Sequence, residues 1–251
     1  MSRDEQSERE LIAKSCRMLG KLKLTKGNMG HVSMRTADGQ HILVRAKGLD
    51  EVGVQYTTAE HIIKVDLDGT VVEGADGLEA PGEILLHTWL YRARPETRSV
   101  VHVHPLTTLL LTICRKPLLP LFGGYDPGLL TLVLDGIPVY QRSITIRNDK
   151  LGKEFSEAMG SKRACLMRGH GITTVGTSVE EATVTAIMTN EIAEINYRAH
   201  LLGGAEAISD EDVAEFRDRK ANRKPTEHPS RETAAARLAS SWRYYTELAG
   251  E

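Results

Sequence analysis

Residues 98–113 read RSVVHVHPLTTLLLTI and place two histidines, His102 and His104, in a run rich in β-branched and aliphatic residues. Such a run favours a buried strand, and alternate side chains of a strand point to the same face, so the two imidazoles should lie together. Burying two imidazoles without partners is costly, on the order of a few kcal/mol. A divalent metal ion would give both rings a partner. The pair therefore predicts either half of a metal site or two hydrogen-bonded core histidines.

The composition favours one large globular domain. The chain has 251 residues, a formal net charge of −2 and 41% hydrophobic residues, which is enough for an ample core. No dense block of lysine and arginine offers a footprint for nucleic acid, and no apolar run is long enough to cross a bilayer. The start of the chain is charged and then amphipathic, unlike a secretory signal. We therefore expect a cytoplasmic protein without nucleic-acid or membrane partners.

Strand and helix patterns are intermixed along the chain without a strict βαβ repeat. Helical spacing is present at about residues 4–20 and in the segments 81–95, 150–160 and 178–204, the last opening with a capping box of Ser178 and Glu181. Strand patterns occupy 41–46, 61–74 with a turn at Asp68-Gly69, 137–143 and 163–176. Together these patterns predict a three-layer sandwich of the α/β or α+β class.

The last part of the chain differs in character. Residues 203–230 are polar and contain proline, whereas Leu238, Trp242 and Tyr245 in the final segment can share one helical face. The three cysteines, Cys16, Cys114 and Cys165, are far apart among aliphatic residues, so we expect buried free thiols and assign them no chemistry.

Two further segments carry candidate functional residues. The turn RGHG, residues 168–171, holds His170 between two glycines, where it is either a third metal ligand or an exposed turn residue. Three neutral imidazoles with an open fourth position are typical of a catalytic zinc. Glu83 and His87 are four residues apart on a predicted helix and share a face. That face points either to the pocket that the three histidines would form or to solvent. Glu83 is accordingly either an acid/base group or a surface carboxylate at a helix N-terminus.

Four motifs together resemble the class II aldolase/adducin family: GNMGHVSMR (27–35), the helix beginning PGE (81–83), RPETRSVVHVHP (94–105) and RGHGITTVGTSVEEA (168–182). The resemblance covers roughly residues 8–202. It implies an α/β fold, a three-layer α/β/α sandwich around a largely antiparallel central sheet. It also implies a homo-oligomer, commonly a C4 tetramer with active sites between subunits.

The same resemblance divides the chain and suggests a role for its end. We expect residues 1–202 to form the catalytic domain and residues 203–251 to form a polar connection and a C-terminal helical tail. The tail would pack on its own or a neighbouring subunit. In the second case Trp242, Tyr244 and Tyr245 would contribute to the neighbouring pocket.

Carried over residue by residue, the resemblance also implies the roles of the site residues. The three metal ligands would be His102, His104 and His170, and Glu83 would be the catalytic acid/base, assisted by His31 or His87. The cofactor would be one divalent ion per subunit, zinc first. Manganese, cobalt and iron are alternatives because three imidazoles suit all of them.

Departures from the sugar-phosphate members bear on the substrate. Those members carry Asn at the position of His31 and usually two serines where this chain has Pro81 and Gly82. Neither Pro81 nor Gly82 has a hydroxyl, and proline also lacks a backbone N–H. Most of the hydrogen-bond donors that would bind a phosphate at this place are therefore missing.

Basic residues favour a carboxylate substrate instead. Arg35 ends the glycine-rich motif, and Arg45 and Lys47 lie two apart on a predicted strand, where they would bind a carboxylate or form ordinary surface charge. With Tyr125 they are the expected substrate contacts.

The motif combination most resembles the decarboxylase branch of the family. We therefore expect a lyase of aromatic-compound catabolism that decarboxylates a dihydroxylated aromatic acid such as 3,4-dihydroxyphthalate. The alternatives are a class II aldolase that cleaves a hydroxy-keto substrate, an iron-dependent oxygenase relative and a non-catalytic adducin-like assembly module. The three convergent histidines argue against the last alternative.

Overall fold

The computed structural model describes residues 3–48, 52–122, 124–222 and 233–251. Within these ranges the helices are α1 (Arg3–Lys21), α2 (Ile84–Ala93), α3 (Leu106–Ile113), α4 (Pro127–Asp135), α5 (Asp149–Met159), α6 (Val179–Leu201), α7 (Asp210–Ala221) and α8 (Ala234–Ala249). The strands are β1 (His31–Arg35), β2 (His41–Arg45), β3 (Ile62–Asp66), β4 (Val71–Glu73), β5 (Ser99–Val103), β6 (Val139–Tyr140), β7 (Ala164–Met167) and β8 (Ile172–Gly176). No helix in the described part of the chain could span a bilayer.

One sheet contains all eight strands, in the order β4-β3-β2-β1-β5-β8-β7-β6. Every neighbouring pair is antiparallel except β6 and β7, which run parallel. Strand β5, which carries the VHV motif, lies in the interior of the sheet between β1 and β8, and all five of its residues are buried. The expectation of a largely antiparallel central sheet is confirmed.

Helices cover both faces of this sheet. On one face, side chains of α2 and α5 pack with Ile42, Val44 and Val100. On the other face, side chains of α1, α6 and α8 pack with Leu43 and Val101, which alternate with the first set. The result is the expected α/β/α sandwich, and His102, two residues after Val100, belongs to the α2 face.

Local signals account for the boundaries of the helices near the site. Helix α2 has Glu83 at its N-cap position and ends before Pro95, which disfavours helix at the preceding residue. Helix α6 begins where the Ser178 side chain accepts a hydrogen bond from the Glu181 backbone N–H. The Glu181 carboxylate instead accepts from Thr177, so the reciprocal half of the expected capping box is wrong.

The C-terminal helix α8 packs on its own chain. Tyr245 is buried in the core that α8 forms with α1 and α6, and the partly buried Leu238 and Trp242 pack against this core. The Tyr245 hydroxyl donates to the Glu191 carboxylate of α6 at 2.9 Å. Two arrangements were expected for the tail, on its own subunit or on a neighbouring one, and in this structure the helix packs on the core of its own chain.

Several features differ from the sequence-based expectation. Strand β1 and helix α4 are not among the elements predicted from the sequence. Helix α7 lies within the stretch predicted to be only a polar connection, and residues 223–230 of that stretch lie outside the described residues. Its Ser209 cap and acidic first turn favour helix, but most of its residues are charged and none is fully buried, so its apolar periodicity is weak. Cys16 and Cys165 are buried as expected, whereas Cys114 is exposed at the end of α3. All three thiols are free.

Candidate metal centre and active site

Four side chains from three parts of the chain converge beside the end of β5. We call Glu83, His102, His104 and His170 the donor cluster; one ligand atom from each lies within 4.8 Å of the others. His102 Nε2 is 2.8 Å from His104 Nε2, and Glu83 Oε2 is 3.1 Å from His170 Nε2 and 3.5 Å from His102 Nε2. The sequence predicted all four of these residues for one site.

The spacing of these atoms fits a single ion. Ligands bound to zinc at about 2.0–2.1 Å with tetrahedral angles lie roughly 3.3 Å from one another, and the three distances above bracket that value. Three imidazole nitrogens and one carboxylate oxygen also form a donor set that suits zinc, manganese, cobalt or iron. The donor cluster therefore fits one divalent metal ion.

Neighbouring hydrogen bonds orient two members of the donor cluster. His102 Nδ1 lies 3.0 Å from Thr173 Oγ1, and the Thr173 hydroxyl donates to Met167 Sδ. The Thr173 oxygen is therefore free to accept from His102 Nδ1–H, which leaves the lone pair of Nε2 for a metal. Glu83 Oε1 accepts from the Ile146 backbone N–H at 2.7 Å, which leaves Oε2 facing the histidines.

Replacing Thr173 by valine tests this orientation. Valine keeps the shape of threonine but removes the hydroxyl that accepts from His102 Nδ1–H, so the imidazole loses one of the bonds that orient it. We expect zinc affinity to fall by about 10–100-fold, the range typical of such outer partners. A competition titration against a chelating dye measures the change. Thr174→Val is the matched control, because Thr174 bonds the Ala182 carbonyl, away from the donor cluster. Unchanged affinity in Thr173→Val would contradict the argument.

The protonation states of the donor cluster also suit metal binding. Burial raises the pKa of Glu83, but the adjacent His102 and His170 outweigh it and hold the pKa well below its usual range. Burial, together with the neighbouring His102 and His170, lowers the pKa of His104 to about 3. Glu83 is therefore ionised and His104 neutral at physiological pH, which are the forms that bind metal ions.

His31 and His87 lie beside the donor cluster, one behind the other. His31 is paired with His102 across β1 and β5, and their ring centroids are 5.1 Å apart. His31 Nδ1 is 2.6 Å from His87 Nε2. His87 is fully buried and burial lowers its pKa to about 3, so the solvent-facing alternative for this residue is wrong. His87 contacts the site only through His31 within the described residues.

Two of the expected substrate contacts are engaged elsewhere. The Arg35 guanidinium donates to the Tyr91 carbonyl and lies 5.0 Å over the Tyr91 ring. Arg45 is 3% exposed and donates to Thr57 Oγ1 at 3.0 Å and to the Gly30 carbonyl at 3.4 Å. We therefore correct the expectation for both residues: Arg35 secures α2, and Arg45 secures the loop that precedes His31.

The other two expected contacts are exposed. Lys47 Nζ forms a surface ion pair with Glu79 at 2.9 Å. Tyr125 is 79% exposed, and its ring lies 6.3 Å from that of Phe122. No contact among the described residues joins Lys47 or Tyr125 to the donor cluster.

Three residues near the site were missed from the sequence: Ser33, Tyr91 and Thr173. Ser33 Oγ lies 2.6 Å from His87 Nδ1 and 2.8 Å from the Tyr91 hydroxyl. Spacing could have found the first two, because Ser33 is two residues after His31 on a strand and Tyr91 is four after His87 on a helix. Thr173 could not be paired with His102 without the register of β5 and β8.

The fold and the donor cluster define a family. Residues 10–197 match the model of the class II aldolase and adducin N-terminal domain, and the chain belongs to this family. The 3,4-dihydroxyphthalate decarboxylase of Terrabacter sp. (strain DBF63) is 37% identical over 223 residues, 87% of this chain and 92% of that protein. The enzyme of the same name from Arthrobacter keyseri is 38% identical over 214 residues, 84% of this chain and 86% of that protein.

A solved structure supports the fold assignment. The L-fuculose 1-phosphate aldolase from Glaciozyma antarctica PI12 matches with a TM-score of 0.76 at 18% sequence identity. The match covers 98% of this chain and 91% of that one. At this identity the similarity shows a shared fold.

Proposed function

We propose that the protein is a metal-dependent carboxy-lyase that removes carbon dioxide from a dihydroxylated aromatic acid of the 3,4-dihydroxyphthalate type. The donor cluster carries this proposal, since it supplies a metal site and an ionised carboxylate in one place. The two decarboxylases, 37% and 38% identical over most of the chain, supply the substrate class. The reaction belongs to aromatic-compound catabolism, and we place it in the cytoplasm.

In this proposal one divalent ion, zinc first, is held by His102, His104 and His170. Manganese, cobalt and iron remain alternatives, because the donor set accepts each of them. When bound, the ion supplies Lewis acidity that stabilises negative charge on substrate oxygens. The oxygen Oε2 of Glu83 lies close enough to these nitrogens to act beside the ion or as a fourth ligand.

Glu83 moves the proton in the proposed reaction. Because it is ionised, Oε2 can accept the proton of the substrate hydroxyl that is ortho to the departing carboxylate. It then delivers this proton to the ring carbon that bears the carboxylate. The bond between that carbon and the carboxylate breaks, carbon dioxide leaves, and the electron pair restores the aromatic ring. The phenolate takes a proton from water, so each turnover consumes one proton.

Substrate positioning falls to residues that remain accessible. Both side chains of the Lys47–Glu79 ion pair are exposed, so the pair stabilises the fold little. A substrate carboxylate can therefore take the place of Glu79 and bind Lys47. We further propose a C4 homotetramer with active sites at subunit interfaces, in which the exposed Tyr125 and Tyr244 are available to a neighbouring pocket.

Carbon dioxide release from a panel of dihydroxylated aromatic acids tests the function. The protein is loaded in turn with zinc, manganese and iron, and its metal content is measured beside the rate. We expect release from an acid with a hydroxyl ortho to a carboxylate, loss of release with a chelator, and recovery when one metal is restored. Benzoate, which lacks the hydroxyl, is the matched control substrate.

Two results would contradict the proposal. Bound metal without carbon dioxide release from any acid, together with aldehyde formation from a hydroxy-keto substrate, would replace it with the aldolase function. Failure to retain any metal after reconstitution would favour a non-catalytic module.

A further inference from the structure

A chain of four buried polar side chains leads from the core to the donor cluster. We call Tyr91, Ser33, His87 and His31 the histidine relay. The Tyr91 hydroxyl is 2.8 Å from Ser33 Oγ, Ser33 Oγ is 2.6 Å from His87 Nδ1, and His87 Nε2 is 2.6 Å from His31 Nδ1. The first three are at most 1% exposed and His31 is 8% exposed. Water therefore cannot easily exchange the hydrogen bonds of this chain.

When the Ser33 hydroxyl donates within the histidine relay, the hydrogen bonds run in one of two directions. In the first, Tyr91 donates to Ser33, Ser33 donates to His87, and His87 Nε2–H donates to His31. In the second, every donor is reversed and the Tyr91 hydroxyl must find another acceptor. If Ser33 instead accepted from both Tyr91 and His87, its own O–H would have no acceptor among the described residues, which destabilises the fold. Each direction assigns one tautomer to each of the two histidines, since a neutral imidazole has one donor and one acceptor nitrogen.

The surroundings of Tyr91 favour the first direction. Among the described residues its hydroxyl has no acceptor besides Ser33 Oγ, and the nearby Val100 backbone N–H is itself a donor. The second direction would leave a buried phenol O–H without a partner, which destabilises the fold. Burial also raises the pKa of Tyr91 and lowers that of His87, so the phenol stays protonated and His87 stays neutral.

We propose that Tyr91, acting through Ser33 and His87, fixes His31 as the Nε2–H tautomer, so that His31 donates a hydrogen bond to an anionic oxygen of the substrate. The oxygen belongs to the carboxylate or phenolate of an aromatic acid, and this part of the inference rests on the proposed function. Tyr91, Ser33 and His87 are positioning residues, because they act on the substrate only through His31.

The position of His31 suits this role. Its ring lies 5.1 Å from that of His102, beside the donor cluster at which the proposed substrate would bind. Its Nε2 makes no hydrogen bond to any described residue. The opposite tautomer would present a lone pair to an anionic oxygen and repel it. The direction of the hydrogen bonds in the histidine relay thus makes His31 Nε2–H a donor, and the pocket beside it favours an oxygen that accepts a hydrogen bond.

Nitrogen NMR tests the tautomer without any need for turnover. The zinc-loaded full chain is labelled with ¹⁵N in its histidine rings, and long-range ¹H–¹⁵N spectra show which nitrogen carries the proton. Spectra of His31→Asn and His87→Asn assign the signals. We expect both rings to carry the proton on Nε2. A proton on Nδ1 of either ring in the unaltered protein, or a mixture, would overturn the inference.

Kinetics on an ortho-hydroxy aromatic acid test the consequence. We expect Tyr91→Phe to raise KM about tenfold at unchanged metal content, because His31 is then no longer held as a donor. Ser33→Ala, which interrupts the same chain at its next member, should do the same and replaces Tyr91→Phe if that variant does not fold. Tyr140→Phe is the control, since it removes another buried phenol whose partner is Glu154. An unchanged KM in both relay variants would overturn the role in substrate binding.

The two experiments separate this inference from the proposed function. Protons on Nε2 without any decarboxylation would leave the histidine relay intact and reject the reaction. Decarboxylation with a proton on Nδ1 would reject the histidine relay alone.

Discussion

Replacing Glu83 by glutamine is expected to lower kcat by about a thousandfold, because the amide cannot accept and return a proton. Metal content should stay near that of the unaltered protein, because His102, His104 and His170 still supply three ligands. The amide oxygen can also keep the hydrogen bond from the Ile146 backbone N–H. Carbon dioxide release measures kcat, and elemental mass spectrometry measures the bound metal.

Glu96→Gln is the matched control for this substitution. It removes one carboxylate with the same change in net charge, and its carboxylate is paired with Arg94 on the surface after α2. Retained turnover in Glu83→Gln would remove Glu83 from the proton transfer. Loss of the metal together with turnover would show that Glu83 acts mainly as a ligand.

Gly171→Ala is expected to lower zinc affinity by more than about a hundredfold. A methyl group at this position would collide with the Val103 carbonyl oxygen and would lie 2.9 Å from Cδ2 of His104. The carbonyl belongs to β5, so the collision cannot be relieved by rotating a side chain. Movement of the turn displaces His170, and the contact with His104 displaces a second metal ligand. The loss of zinc affinity should therefore exceed that caused by removing a hydrogen-bond partner of one ligand.

The same dye competition that measures zinc affinity applies to Gly171→Ala, with thermal unfolding of the metal-free protein as a second readout. Overpacking should also destabilise the metal-free protein, by about 1–3 kcal/mol. Gly124→Ala is the control, because a methyl group there meets no atom within 4 Å. Zinc binding as tight as in the unaltered protein would contradict the prediction.

Much of the fold could be predicted because apolar periodicity marks most of the elements that pack on the sheet, although β1 lies within the glycine-rich motif and was not predicted as a strand. The helix over 4–20, the hairpin at Asp68-Gly69 and the strands around RGHG all correspond to described elements. Helix α7 could not be predicted in this way, because most of its residues are charged and none is fully buried, although Phe216 packs partly against the core. The second half of the capping box was wrong because the Glu181 carboxylate accepts hydrogen bonds from Thr177 instead.

The donor cluster was predictable for a similar reason, whereas the charged contacts were not. Alternation on one strand brings His102 and His104 together, and this depends on local geometry alone. The environment of Arg45 depends instead on carbonyl groups in a loop that precedes β1, which strand periodicity does not reveal. Arg35 likewise finds its partner on α2, far along the chain.

The two margins of the sheet bear on how copies of the chain can associate. One margin is β4, three residues long and joined to β3 across a register shift, and the other is β6, only two residues long. Short, irregular margins offer few unpaired backbone groups to another strand, which protects a protein from edge-to-edge aggregation. Growth of a continuous intermolecular sheet is therefore disfavoured, and ordered assembly must rely on contacts between helices and loops.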